Sequence, residues 1–397
     1  MSEETESPGP GRDEIELSVV MPCLNEADTL ETCIRKAQQS FTACGVTGEI
    51  VVADNGSTDG CPEIAERLGA RVVHVREKGY GSALMGGIGA SRGRFVLMGD
   101  ADDSYDFLEI PKFVQELRAG HDLVQGCRLP AGGGTVLPGA MPFLHRWIGN
   151  PMLTALARTM FGIPIRDTYC GMRGFTKKLY SELDQRCTGM EFATEMIIKS
   201  SLAGADIAEV PITLHPDGRT THGPHLRTFR DGWRTLRFFL MYSPRWLFLV
   251  PGLVLIALGA LGSALAMQSA SLFGATLGAH TLLVSCLGIM MGYQSILFAI
   301  FSKTFAVGVG LMPADSRLDR FYEFATLERG LLLGAAALVI GIGLIANTTF
   351  GWQRAGFGPL DYEQTMRIVI PGVTLAALGF QTILSGFFVS ILGMSRQ

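Results

Sequence analysis

The sequence predicts an α/β domain with a mainly parallel, Rossmann-like sheet, then an interfacial amphipathic helix and an all-α membrane domain of four helices. Three observations predict it. Charge is unevenly spread: 25 of the 33 Lys and Arg, and 31 of the 37 Asp and Glu, precede residue 243. Beyond that point, four long stretches carry no Asp, Glu, Lys or Arg. Before it, short β-branched runs alternate with helix-like segments, the pattern of parallel strands joined by crossover helices.

Composition narrows the class. The chain is 48% hydrophobic and 18% charged, whereas soluble domains carry about 25% charged residues. Disorder, collagen and coiled coil are excluded by the apolar content and the lack of a short repeat. A net charge of −4 gives no basis for bulk binding to nucleic acid. Of the eight cysteines, seven precede residue 243 and no two are spaced as CxxC. They read as reduced thiols, not as a disulfide frame or a zinc site.

Residues 1–16 are acidic, carry Pro8, Gly9, Pro10 and Gly11, and lack an apolar core. They read as a disordered tail and not as a signal peptide, so the polar domain at 17–218 is expected to stay cytosolic. Within it, strands are expected at 17–21, 49–53, 71–75 and 95–98, with helical segments such as 28–38 and 82–91 between them. Ligands of such sheets bind beyond the carboxyl ends of the strands. The first strand runs into Pro22-Cys23-Leu24-Asn25-Glu26, with Asn25 a candidate cap for the next helix. The second runs into Asp54-Asn55-Gly56-Ser57-Thr58-Asp59-Gly60, and the fourth into Gly99-Asp100-Ala101-Asp102-Asp103-Ser104-Tyr105-Asp106. Turn chemistry accounts for much of the Asn, Ser, Asp and Gly here. It does not account for Asp100, Asp102, Asp103 and Asp106 crowding one strand end, because like charges repel unless a cation lies between them. Mg²⁺ or Mn²⁺ prefers such oxygens and leaves positions open for phosphate, so a metal–diphosphate site is expected.

Between the domains, residues 219–245 hold six arginines against the single acid Asp231. Arg227, Arg230, Arg234 and Arg237 fall on one helix face, with Leu226, Phe229, Trp233, Leu236 and Leu240 on the next. The region 219–242 therefore reads as a basic helix lying in the membrane interface, with its arginines toward lipid headgroups. The membrane domain follows at 243–397, with spans at 246–267, 279–302, 330–350 and 368–394. Each reaches the length of about 20 residues that a bilayer requires. Lys303, Arg317, Arg320 and Arg329 lie between the second and third spans, while the loop at 268–278 has no basic residue. The positive-inside rule then puts the polar domain and the C-terminus on the cytosolic side.

The ordered segments SVVMPCLNEADTL, EIVVADNGSTDG, KGYGSALMGGIGASRGRFVLMGDADDS and DTYCGMRGF resemble glycosyltransferase family 2. In particular they are similar to its dolichol-phosphate-mannose-synthase-like branch, which moves a sugar from a nucleotide onto a membrane polyprenyl phosphate. The resemblance runs from about residue 18 to about residue 237. It implies a GT-A fold for the polar domain and a dolichyl- or undecaprenyl-type phosphate as acceptor for a UDP- or GDP-hexose. Pro22, Glu26 and Asp54 would hold nucleobase and ribose. Asp100 would touch the nucleotide, and Asp102, with Asp100 beside it, would bind Mg²⁺ or Mn²⁺ at the diphosphate. Arg128 matches a family arginine near the phosphates. Arg173, Arg219, His225 and Arg227 would serve the acceptor phosphate, with His225 standing where relatives carry a lysine. Asp103 stands where the family often has an apolar residue. The bilayer is an expected partner, nucleic acid is not, and a homo-oligomer stays open.

Family members of this branch invert the anomeric carbon in a single displacement. A hydroxyl acceptor would need a general base, and Glu191 and Glu195 are the candidates near the usual position. A phosphate monoester, with a second pKa of about 6, is already ionised at neutral pH. Asp102, Arg219 and Glu195 are the candidate catalytic residues. A transferase to a lipid hydroxyl is the main rival reading. A processive synthase would carry QxxRW, which Phe143-Leu144-His145-Arg146-Trp147 lacks. A transporter would place charges within its spans, and these have none.

Overall fold

The computed structural model describes residues 15–219, 228–272, 274–313 and 315–394. The chain divides into two compact units, Met1–Phe239 and Leu240–Gln397.

The first unit is built on nine strands: β1 (Leu17–Cys23), β2 (Gly48–Asp54), β3 (Arg71–His74), β4 (Phe95–Met98), β5 (Leu123–Cys127), β6 (Thr135–Val136), β7 (Arg173–Thr176), β8 (Ile207–Pro211) and β9 (Thr213–Leu214). Seven form one sheet in the order β3-β2-β1-β4-β7-β5-β8, while β6 and β9 pair separately. The pairs β1–β2, β2–β3, β1–β4 and β5–β8 are parallel, and β7 runs antiparallel to both β4 and β5. The mainly parallel sheet expected from the sequence is thus present, with one reversed strand that its short RGFT run did not announce.

Parallel strands covered on both faces read as continuous apolar runs. Leu17, Val19, Val20 and Met21 of β1 and all four residues of β4 are accordingly buried. The connections are α1 (Ala27–Cys44), α2 (Cys61–Arg67), α3 (Tyr80–Ala90), α4 (Ile110–Ala119), α5 (Asn150–Phe161), α6 (Lys177–Leu183) and α7 (Glu191–Leu202). Helix α1 buries Leu30, Cys33, Ile34 and Ala37, one face at helical spacing. Strand order reverses at β1, which lies between β2 and β4. Their carboxyl ends flank the switch point where open α/β sheets bind ligands.

Helix α8 (Thr228–Met241) includes Arg230, Arg234 and Arg237 of the basic stripe. Arg234 and Arg237 are exposed along it, as is Trp233, whereas Phe238 and Phe239 are buried. Phe239 meets Phe161 of α5 edge-on at 5.7 Å. The apolar face of α8 is therefore partly spent within its own unit.

The second unit holds α9 (Val250–Met267), α10 (Ala279–Gly308), α11 (Ser316–Phe324), α12 (Leu327–Arg354) and α13 (Tyr362–Met394). Four segments, Arg245–Met267, Ala279–Gly308, Leu327–Arg354 and Tyr362–Gly393, are long and apolar enough to cross a membrane. Each overlaps one charge-free stretch and runs past it at one end or both, because backbone hydrogen bonding does not stop at the last apolar side chain.

Helices α9 with α10 and α12 with α13 pack through glycines. A Cβ on Gly252 would lie 2.8 Å from the Gly292 carbonyl, and one on Gly334 2.8 Å from that of Gly379. At Gly341 it would enter the backbone of Ala376 and Gly372. Small residues let membrane helices approach closely where apolar burial supplies no drive. Gly341→Leu should therefore force α12 and α13 apart, at about 1–3 kcal/mol of overpacking. A lower melting temperature of the detergent-solubilised protein would report it; an unchanged value would mean that the contact is loose.

Candidate active site

The site is assembled at the carboxyl ends of β1, β2 and β4. Pro22 and Cys23 of β1 pair with Ala53 and Asp54 of β2. The two following loops are sewn together: Asn25 N donates to Ser57 Oγ (3.0 Å), Thr58 N to Asn25 Oδ1 (2.8 Å) and Ala27 N to Asp59 Oδ2 (2.8 Å). Asn25 does not cap α1, as its sequence position suggested. The cap residue is Glu26, while Asn25 takes a left-handed φ of 60° that turns its amide toward Thr58. Asn tolerates that region better than most residues.

Asp54 is only 4% exposed. Its Oδ1 accepts from Ser57 N (2.9 Å), and His74 Nδ1 at the end of β3 lies 3.1 Å from its Oδ2. Burial pushes the carboxyl up, but hydrogen bonds from Ser57, His74 and Gly56 outweigh it and hold Asp54 below the usual carboxylate range.

The acidic cluster after β4 divides in two. Asp103, with a left-handed φ of 58°, points to Lys36 of α1 at 2.8 Å, and Asp106 lies 3.5 Å from the same ammonium. Asp106 also caps the next turn through Leu108 N (3.1 Å). Lys36 thus offsets one of the two outer charges and gives Asp103 a structural partner. Asp100 and Asp102 stay together. Tyr80, at the start of α3, donates to Asp100 Oδ1 (2.9 Å). Burial and the neighbouring Asp102 push the Asp100 carboxyl up to about 7, against the pull of Tyr80 and Arg219. Asp102 Oδ1 accepts from Ser104 Oγ (2.6 Å) and Ser104 N (3.1 Å), and its Oδ2 lies 3.1 Å from Arg219 Nη2.

Arg219 also grips Glu26, with Nη2 2.7 Å from Oε1 and Nε 2.9 Å from Oε2. Arg128 is buried against Asp167 in a two-pronged pair, Nε to Oδ2 at 2.8 Å and Nη2 to Oδ1 at 2.9 Å. Its Nη1 reaches Tyr105 Oη (3.4 Å). Arg173 is fully buried and donates to the carbonyls of Ala193 and Cys170 (2.5 and 2.9 Å). It braces the loop before β7 against α7 and offers no surface to an acceptor. His225 and Arg227 lie outside the described residues.

Glu195, on α7, is 0% exposed. Its Oε1 is 2.8 Å from Lys199 Nζ, and its Oε2 accepts from Cys187 N (2.8 Å) and Arg186 N (3.0 Å). Burial raises its carboxyl, but Lys199 and these two N–H groups together hold it below the ordinary 4.5. The loop that it fixes lies on α3: Ser82 N donates to the Thr188 carbonyl (3.1 Å). A Cβ at Gly79 or Gly81 would run into the carbonyls of Thr188 and Cys187. That explains the glycines on either side of Tyr80, and it links Glu195 to Asp100 through structure, not through chemistry.

Comparison with known proteins decides the family. Residues 18–184 match glycosyl transferase family 2, and residues 300–393 match the glycosyltransferase family 2 C-terminal transmembrane region. The chain is 38% identical over 384 residues to the low-salt glycan biosynthesis hexosyltransferase Agl6 of Haloferax volcanii, covering 95% of this chain and 89% of that one. The chain belongs to glycosyltransferase family 2. It is also 33% identical over 198 residues to a dolichyl-phosphate hexose transferase of the same organism, covering 50% of this chain and 82% of the other. Among solved structures, glucosyl-3-phosphoglycerate synthase from Mycobacterium tuberculosis aligns at 23% identity over 60% of this chain and 84% of its own, with a TM-score of 0.43.

This family 2 glycosyltransferase is an integral membrane protein, with four membrane-length helices and the family's transmembrane region. Among its described residues no three His, Cys, Asp or Glu side chains gather into a closed metal cage. The oxygen pair Asp100 and Asp102 fits a different arrangement, in which one or two carboxylates share a hard cation with substrate phosphates. The upward pressure on Asp100 from Asp102 is charge that such a cation relieves.

Several partners escaped the sequence reading. Lys36 is the tenth residue of α1, beyond the quoted segments, and His74 ends a strand read only for its apolar run. Tyr80 and Asp167 stood inside quoted segments. A tyrosine between two glycines, and an acid ahead of YCGMR, were the available signals.

Proposed function

We propose that this glycosyltransferase moves a hexose from a UDP- or GDP-hexose onto a polyprenyl phosphate with inversion, using Mg²⁺ or Mn²⁺. The observation that carries this reading is the state of Glu195. Its oxygens are engaged by Lys199, Cys187 and Arg186, away from solvent. A carboxylate so held is poorly placed to take a proton from an acceptor hydroxyl. A phosphate monoester needs no such help, since its second pKa is about 6. The names of the two Haloferax relatives, a hexosyltransferase and a dolichyl-phosphate hexose transferase, support the same class of reaction.

In this reading Asp54 and Glu26 receive the base and ribose, with Pro22 lining their shelf. Asp100 and Asp102 would hold the cation, which would supply positive charge to the leaving diphosphate. Arg128 and Arg173 keep the surrounding loops in register, and the residues after Arg219, His225 and Arg227 among them, meet the acceptor phosphate. Catalysis then rests on positioning and charge neutralisation. The stretch 143–152 exposes Phe143 (73%), Trp147 (56%) and Met152 (60%), with the Arg146 guanidinium 5.1 Å over Trp147. Aromatic and basic side chains together suit a bilayer interface, where the acceptor's polyprenyl tail lies. The 219–242 region belongs to the same interface.

Purified enzyme given polyprenyl phosphate and a panel of labelled UDP- and GDP-hexoses should put label into an organic-extractable lipid with one donor, and label in no lipid would contradict it. Glu195→Gln keeps the backbone hydrogen bonds but loses the Lys199 pair. It should cost about 3 kcal/mol of stability, while the folded fraction still transfers within about tenfold of wild type. Because the carboxyl of Glu195 sits below its unfolded value, its contribution is present at neutral pH and lost as pH falls through the folded value. The variant's acid-unfolding limb should therefore be flatter. A folded but dead Glu195→Gln would restore the base and with it a hydroxyl acceptor. The positive-inside pattern orients the catalytic unit and C-terminus to the cytosol; a reporter after Gln397 active only on the outer face would contradict this.

A further inference from the structure

A short strap crosses the acidic end of the sheet. After β9, His215 N donates to the Ser104 carbonyl and Gly218 N to that of Asp102, both at 2.9 Å. A Cβ on Gly218 would lie 2.9 Å from Thr29 Cγ2, so the strap runs flush on α1. It delivers a guanidinium, 12% exposed, onto both oxygens of Glu26 and within 3.1 Å of Asp102 Oδ2. Asp217 adds a weaker contact at 3.7 Å. Glu26 and Asp102 are the carboxylates that the proposed donor site needs, one for the nucleoside and one for the cation.

We propose that Arg219 is an exchangeable counter-ion. Without donor it bridges Glu26 and Asp102 and so holds Asp102 Oδ2, an oxygen that the cation needs. Arrival of the metal-bound nucleotide transfers Asp102 to the divalent ion and frees the guanidinium for the acceptor phosphate, so donor binds before acceptor. The inference rests on the donor site proposed above. Its physics is competition for the same oxygens. An arginine cannot shed its proton, so it can yield the site only by moving. Its planar fork accepts a phosphate as readily as a carboxylate, so it has a second place to go.

The decisive readout is Mn²⁺ binding to the full-length protein in detergent, without nucleotide, followed by electron paramagnetic resonance of the free ion. Arg219→Gln should bind Mn²⁺ about tenfold more tightly than wild type, because the apparent affinity scales with the unlatched fraction. Its transfer to polyprenyl phosphate should fall. Arg219→Lys, which keeps the charge and loses the fork, should lie between them. Unchanged or weaker Mn²⁺ binding in Arg219→Gln, with Asp102 still required, overturns the exchange and leaves the donor site standing. Mn²⁺ binding indifferent to Asp102→Asn overturns the donor site itself. In wild type, polyprenyl phosphate should bind more tightly when Mn²⁺ and nucleoside diphosphate are present; equal affinity in their absence contradicts the order.

Discussion

Asp102→Asn should lower transfer by about 10²–10³-fold or more, the loss expected when an electrostatic clamp on the leaving group is removed. The side chain keeps its size and an oxygen for Ser104, whose N and Oγ lie 3.1 and 2.6 Å from Oδ1. The fold should therefore survive, and circular dichroism and membrane insertion should match wild type. What is lost is one of the two inward-facing charges. Asp103→Asn makes the contrast, because that carboxylate pairs with Lys36 on the outside of the cluster. Its transfer should stay within a few-fold of wild type, about the effect of losing one half-buried ion pair away from the reacting groups. Label recovered in extracted lipid measures both. Equal losses in the two variants would mean that the cluster acts as a whole.

The largest effect on stability is expected at Asp167→Ala. Arg128 is buried with Asp167 as its two-pronged partner, and Asp167 Oδ2 also accepts from Arg128 N at 3.0 Å. Removing the acid strands a buried guanidinium, at a cost of about 3–5 kcal/mol. Urea unfolding of the solubilised protein should shift to lower midpoints, and a double variant with Arg128→Met should recover part of the loss. An unshifted midpoint would mean that water or Tyr105 takes over the charge.

The sequence carried the strand–helix alternation, because β1, β2 and β4 are covered on both faces and so carry apolar runs at 19–21, 50–53 and 95–98. It also carried the four spans, since charge is excluded from them. It did not carry β7, whose direction depends on its two neighbours and not on its own four residues. The site residues were legible as types at strand ends, but their pairing was not. Asp103 and Asp106 look like Asp100 and Asp102 in sequence, and only the placement of Lys36 on α1 separates them. Glu195 sat where a base is expected, and its partner is one helical turn away at Lys199. An i,i+4 acid–base pair is common on exposed helices, so nothing in the sequence marked this one as buried. Arg219 read as an acceptor residue from its basic surroundings, yet in the structure its charge is spent on Glu26 and Asp102.

The central claim is that the acceptor enters already ionised. The most direct measurement gives the purified enzyme one labelled donor and three acceptors in parallel: a polyprenyl phosphate, the same polyprenol without phosphate, and a diacylglycerol. Label should appear in lipid only with the polyprenyl phosphate, as a product that mild acid hydrolyses. Label on the polyprenol or diacylglycerol, with the phosphate idle, would contradict the account and require a base that Glu195, as held here, does not provide.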